Sequence, residues 1–138
     1  MKVIAFVAGI WLAAVPLSLP VLAGNDDPLF VNLTTNQAHR TKMAIGFSKA
    51  QLERGHPITI FLNDQGILLA SKANAEQYRE QQAILRSIIE QGGVVIACPM
   101  CMKQYGVSEN DLLEGIKVGN PDFTGEALFR DDTRTLSW

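Results

Sequence analysis

Two cysteines, Cys98 and Cys101, stand three residues apart in VVIACPMCMKQYG (Val94–Gly106), with Met100 and Met102 interleaved and Pro99 directly after the first. Pro99 suits the first position of a helix. A thiol just ahead of it lies near unpaired backbone N–H groups and the positive end of the helix dipole, which favours thiolate. Thiolate is both the nucleophile and the soft metal ligand. Cys101, about one helical turn further on, can attack a persulfide or mixed disulfide on Cys98 or close a Cys98–Cys101 disulfide.

Four uses fit this spacing. Cys98 could carry sulfane sulfur with Cys101 resolving it, or the pair could be a thiol–disulfide switch. Cys98, Met100, Cys101 and Met102 could hold a soft ion such as copper or zinc. Both cysteines could instead be buried thiols, with the methionines as core filler. Spacing alone does not choose, and a lone C-x-x-C lacks the second pair of a structural zinc site. Lys103 could add positive potential beside the sulfurs, though a surface role suits it better. His39 could face Cys98 if the first and third strands were neighbours, and His56 reads as a surface turn residue. Asp64 could act as a proton partner, but its place at a strand end favours a turn role.

The elements that must position these groups alternate. Leu29–Thr35 reads as a strand, followed by Asn36 as N-cap and a helix to about Arg54, closed by Gly55. Met43, Ala44, Phe47, Ala50 and Leu52 form its expected inward face, with Arg40, Lys42, Lys49 and Glu53 wet. Pro57–Asn63 is a near-continuous apolar run, the pattern of a strand buried on both faces. Asp64-Gln65-Gly66 ends it, and Ile67–Ala70 is either a helical turn or a short extension. Asn74 to Gln77 reads as a capping box for a helix through about Gln91, with Tyr78, Leu85, Ile88 and Ile89 inward and Gly92-Gly93 as the stop.

Val94–Ala97 is the third strand. Ser108 with Asp111 suggests a second capping box, for a short helix ending at Gly115. Ile116–Val118 is a fourth strand, Phe123 to Phe129 a last helix, and Thr133–Trp138 a last strand. This order predicts a single compact α/β domain, with a mostly parallel sheet of about five strands and helices on both faces. Ligands of such sheets bind beyond the C-terminal strand ends, which carry Thr34, Thr35 and His39, then Asp64, Cys98 and Asn120.

Beyond Lys2, no charge occurs until after Ala23, and Pro16, Pro20 and the Val21-Leu22-Ala23 ending give a signal-peptide pattern. The expectation is residues 1–23 as signal peptide, residues 24–138 as one domain, and a periplasmic or secreted location without stable membrane association. The net charge of −2 points to an ordinary soluble surface and no nucleic-acid partner. Two cysteines in one short motif do not make a disulfide-stapled scaffold, which ties distant segments together.

The run Val94–Cys101, then Tyr105-Gly106-Val107, Asp111–Ile116, Ala127-Leu128 and Thr135–Trp138, resembles the DsrE/DsrF-like family with its YchN-like and TusD-like relatives. The most specific parts are a cysteine after the third strand, a glycine eight residues on, and the D-L-x-x-G-I run. The resemblance implies a compact α/β fold that assembles into dimers, trimers or hexamers. It also implies sulfur transfer as a persulfide on Cys98, with a protein donor or acceptor as partner and no cofactor. The activity would be at most that of a sulfurtransferase-like carrier, since no transferase or dehydrogenase motif is present. Cys101 matches the second cysteine of the YchN-like branch.

Overall fold

The computed structural model describes Gly24 and residues 26–138; the expected signal segment, residues 1–23, lies outside the described residues. Five strands form one sheet: β1 (Leu29–Leu33), β2 (Ile58–Leu62), β3 (Val94–Ala97), β4 (Lys117–Val118) and β5 (Arg134–Ser137). Their spatial order is β4-β3-β2-β1-β5, and every pairing is parallel. Four α-helices connect them: α1 (Ala38–Leu52), α2 (Arg79–Glu90), α3 (Pro99–Tyr105) and α4 (Pro121–Phe129). The α/β fold expected from the sequence is the fold observed.

From β1 to β4 the chain steps across the sheet in one direction, so right-handed crossovers place α1, α2 and α3 on one face. The return from β4 to β5 runs the other way and places α4 on the second face. Side-chain alternation sorts the strands accordingly. Leu29, Val31, Leu33, Ile58, Ile60, Leu62, Val95 and Ala97 join Ala44, Ile45, Leu85 and Ile88 in one core under α1 and α2. Burying each such side chain contributes about 1.5–3 kcal/mol. Phe30, Asn32, Thr59, Phe61 and Ile96 point to the second face, where no α4 residue is fully buried. Thr59 and Phe61 are therefore only half-buried, unlike the two-sided burial expected of this strand.

Helix α1 turns a different face inward from the one its apolar residues suggest. Thr41, Ala44, Ile45 and Ser48 are buried, while Met43 is 55% and Phe47 42% exposed. Small residues win because the two hydroxyls satisfy themselves: Thr41 Oγ1 donates to Ala38 O (3.0 Å) and Ser48 Oγ to Ala44 O (2.8 Å). The backbone can then approach the sheet closely. Asn36 is not the cap; the helix starts after Gln37, whose N–H donates to Thr35 Oγ1 (3.2 Å).

Two expected capping boxes give way to tertiary bonds. Asn74 Nδ2 donates to Leu68 O (2.9 Å), and α2 begins only at Arg79. The Asp111 carboxylate accepts from the Ser71 hydroxyl and from Ala73 N–H instead of capping a helix, and only a 3-10 turn, Glu109–Asp111, forms there. Asn120 does cap: its Oδ1 accepts from Phe123 N–H (2.8 Å), which starts α4 at Pro121 rather than Phe123. Ile67–Ala70 belongs to a 3-10 helix, Asp64–Ala70, that follows β2 directly.

Gly66 in that 3-10 helix lies against β1, where a Cβ would meet Leu33 O at 2.1 Å. Gly46, inside α1, has open space around its Cβ position. Urea denaturation is therefore expected to show Gly66→Ala less stable by about 1–3 kcal/mol, and Gly46→Ala more stable by about 0.5–1 kcal/mol. Equal effects from both would contradict this packing.

Candidate functional site

The cysteine pair is positioned by the ends of β2 and β3. Their register pairs Leu62 with Ala97, and Cys98 N–H extends the ladder by donating to Leu62 O (3.1 Å). Asn63 and Asp64, which leave β2, thus stand beside Cys98, which leaves β3. Cys98 is the N-cap of α3 with Pro99 at its first position, as the sequence suggests, and Gly106 closes the helix in the left-handed region (φ 69°).

Within α3 the two sulfurs meet. Cys101 Sγ lies 2.7 Å from Cys98 Sγ, and Cys101 N–H donates to Cys98 Sγ (3.4 Å). Both cysteines are free thiols. Cys98 is buried, with 4% exposure, whereas Cys101 is half-buried and forms the outer member of the pair. A disulfide requires about 2.05 Å between sulfurs, so little movement separates the dithiol from the bonded form.

Cys101 Sγ is held on its other side by the turn after β2. Its S–H reaches Asn63 Oδ1 (3.1 Å) as an alternative to Cys98 Sγ, and its lone pair accepts from Asp64 N–H (3.1 Å). Asp64 adopts a left-handed conformation (φ 44°), which aspartate tolerates better than most side chains. Two bonds hold it there: its N–H also donates to Asn63 Oδ1 (2.9 Å), and its carboxylate accepts from the Tyr105 hydroxyl. Asp64 thus has the turn role expected of it and, through its amide, a second role at the sulfur.

Electrostatics separates the two thiols. Burial first, then the bond to Cys98, pushes the Cys101 thiol up to about 11; the Asp64 amide opposes this, and the negative charges of Cys98 and Asp64 add to it. Cys101 therefore keeps its proton near neutral pH and is the donor of the pair, with Cys98 as acceptor. The bond to the Asp64 carboxylate, with burial and nearby negative charge, likewise raises the Tyr105 hydroxyl above its usual value.

The other candidates lie apart from the sulfurs. Met102 is buried in the core under α1 and α2, and Met100 is 80% exposed, so the four-sulfur set Cys98, Met100, Cys101 and Met102 is not gathered into one shell. Among the described residues no group of three or more His, Cys, Asp and Glu side chains could hold a metal. His39 is exposed, and β2 separates β1 from β3, which removes the condition for its facing Cys98. Lys103 is exposed on α3. Thr34 Oγ1 donates to Trp138 O (2.5 Å), tying β1 to the chain after β5. His56 is half-buried rather than a free surface residue, with Nδ1 2.9 Å from Asp27 O. Nothing in the sequence marks Asn63; only the alternation of β2, which sends it to the same face and end as Cys98, could have found it.

The sign of the pH dependence follows from Cys101 alone. Its thiolate forms as pH rises towards about 11, so iodoacetamide labelling of folded Cys101 is expected to reach half its limiting rate near there. In Cys98→Ala the bond and the charge that raise it are gone, and the midpoint moves to lower pH. A wild-type midpoint near an ordinary thiol's, about 8.5, would contradict the geometry.

Similar proteins support the fold. An uncharacterized protein of Methanopyrus kandleri, MK0008, is 35% identical over 80 residues, which span 57% of this chain and 66% of that protein, just under two thirds of its length. An uncharacterized protein of Methanocaldococcus jannaschii, MJ0989, is 35% identical over 80 residues, 57% of this chain and 70% of that protein. Protein MTH1491 from Methanobacterium thermoautotrophicum, of unknown function, superposes with a TM-score of 0.68 at 15% identity, covering 82% of this chain and all of its own. The ychN protein from E. coli gives 0.56 at 13% identity, covering 82% of this chain and 99% of its own. At these identities the structural matches speak for the fold alone. The sequence profile of the DsrE/DsrF-like family matches residues 29–129. This chain is a member of the DsrE/DsrF-like family.

Proposed function

We propose that the protein is an exported sulfur carrier in which Cys98 takes up sulfane sulfur and Cys101 releases it. The observation that carries this reading is the contact of an outer, protonated Cys101 with an inner, hydrogen-bond-accepting Cys98 across 2.7 Å. Membership of a family associated with sulfur relay supports it. In the loading step, Cys98 thiolate attacks the outer sulfur of a persulfide R–S–SH; the S–S bond of the donor breaks, Cys98–S–SH forms, and R–S⁻ leaves and takes a proton from water to become R–SH. In the release step, Cys101 Sγ attacks Cys98 Sγ as the Cys101 proton passes to the outer sulfur; the Cys98 S–SH bond breaks, hydrogen sulfide departs, and the Cys98–Cys101 disulfide forms. A dithiol reductant then reopens the pair.

The same 2.7 Å contact favours a second reading, a thiol–disulfide switch without sulfur loading. The two differ in whether a sulfur atom is ever added. The exposed apolar side of α1 supports a homo-oligomer: Met43 and Phe47 stand out there, Trp138 packs against Phe47 with ring centroids 6.2 Å apart, and Leu136 is 38% exposed. Export places the carrier in the periplasm or outside the cell, in line with the apolar segment before Gly24.

One set of mass measurements tests these points. Protein recovered from the exported fraction is expected to begin at Gly24 and to remain a homo-oligomer in native spectra. Incubation with a polysulfide donor is expected to add sulfur to the wild type and not to Cys98→Ser. No added sulfur on the wild type would leave the switch as the better reading. Equal loading of Cys98→Ser would remove Cys98 from the role given to it.

A further inference from the structure

On the second face of the sheet, between α4 and the C-terminal halves of β1, β2 and β5, lies a cavity of about 340 Å³. Its floor is aromatic, Phe30 and Phe61 with ring centroids 6.3 Å apart. Its polar wall is formed by Asn32, Asn63, Thr124 and Ser137, and no charged side chain lines it. Asn63 belongs to both the cavity and the cysteine site: its Oδ1 lies 3.1 Å from Cys101 Sγ, and its Nδ2 donates to Asn32 Oδ1 (3.5 Å) on the cavity side. Cys98 leaves β3 with the parity of Ile96, on this same face and at the strand end where open parallel sheets bind ligands.

Resting on the sulfur-carrier reading, we propose that this cavity binds the organic part of the sulfur donor, a small alkyl persulfide of amino-acid size with no net charge on its carbon skeleton. The volume sits at the lower end of small-molecule pockets, which favours a compact ligand over a peptide. The wall chemistry sets the class. Asn32, Thr124 and Ser137 line the cavity with amide and hydroxyl groups, the chemistry that meets a ligand's amine, amide or carboxyl oxygen. Without Lys, Arg or His in the wall, a skeleton of net negative charge would be desolvated against no counter-charge. The aromatic floor takes the methylene groups, and the sulfur end points to Asn63 and the pair. The transfer itself is the loading step already written: the donor's S–S bond breaks, Cys98–S–SH forms, and R–SH leaves.

Leu128, on the α4 side of the cavity, is half-buried and can be enlarged without entering the main core. The test follows the initial rate of sulfur loading by mass spectrometry with two donors, cysteine persulfide and inorganic tetrasulfide, the second having no organic part to bind. The expected wild-type rate saturates with cysteine persulfide. Leu128→Trp lowers the rate at subsaturating cysteine persulfide at least tenfold and leaves tetrasulfide loading unchanged. Thr124→Val raises the half-saturating concentration about fivefold, the effect of one lost hydrogen bond.

A rate that stays linear in cysteine persulfide, or a Leu128→Trp effect equal for both donors, would overturn the cavity while leaving the carrier reading intact. If neither donor loads the wild type, the carrier reading fails. Titration with S-methylcysteine, which cannot transfer sulfur, then tests the cavity separately by NMR. Saturable shifts of Thr124 and Ser137 that Leu128→Trp abolishes would uphold the cavity as a ligand site, and their absence would overturn it.

Discussion

The parallel ladder between β2 and β3 carries one bond past its last strand pair, from Cys98 N–H to Leu62 O, and the site depends on it. That bond fixes where one strand stops and the next helix starts, and so places the Asn63-Asp64 turn within reach of the α3 sulfurs. Leu62 and Ala97 are fully buried beneath it, which makes the register costly to shift. A slip by one residue would send Cys98 to the opposite face and Leu62 out of the core. The scaffold therefore sets the sulfur geometry through backbone pairing, and the side chains of the turn refine it.

The two thiols, so alike in sequence, become unlike through their surroundings. Cys98 is covered and accepts; Cys101 is the outer sulfur, pushed up to about 11 by burial and by its neighbour. Asp64 acts on Cys101 twice and in opposite senses, its amide favouring the thiolate and its carboxylate opposing it. The left-handed backbone of Asp64 is the local strain of this arrangement, of the kind that clusters at functional sites. Tyr105, the last residue of the short helix that Cys98 caps and Cys101 belongs to, bonds that carboxylate and so ties the turn to α3.

Much of the fold was legible because apolar runs and glycine stops have few alternatives. All five strands fall where the sequence places them, within two residues at their ends, and the helix after Cys98 starts at Pro99 as expected. The two misplaced capping boxes share one cause, bonding to other segments that outcompetes a local signal. Asn74 and Asp111 look like caps but bond across the chain to Leu68, Ser71 and Ala73. In α1, Thr41 and Ser48 bury themselves by back-bonding within the helix, which leaves Met43 and Phe47 outside. At the site, Cys98 and Cys101 announce themselves by type and spacing. Asn63 does not, because an asparagine after a strand is ordinary and its partner is 38 residues away.

The central claim is that Cys98 and Cys101 act as one unit, the first holding sulfur and the second expelling it. Its most direct measurement is sulfide released from protein carrying one sulfane sulfur on Cys98, with no external thiol present and the disulfide quantified in the same sample. The account predicts one sulfide and one Cys98–Cys101 disulfide per loaded wild-type chain, and a persulfide that stays in place on Cys101→Ser. Equal release from both proteins, or release without disulfide formation, would contradict it.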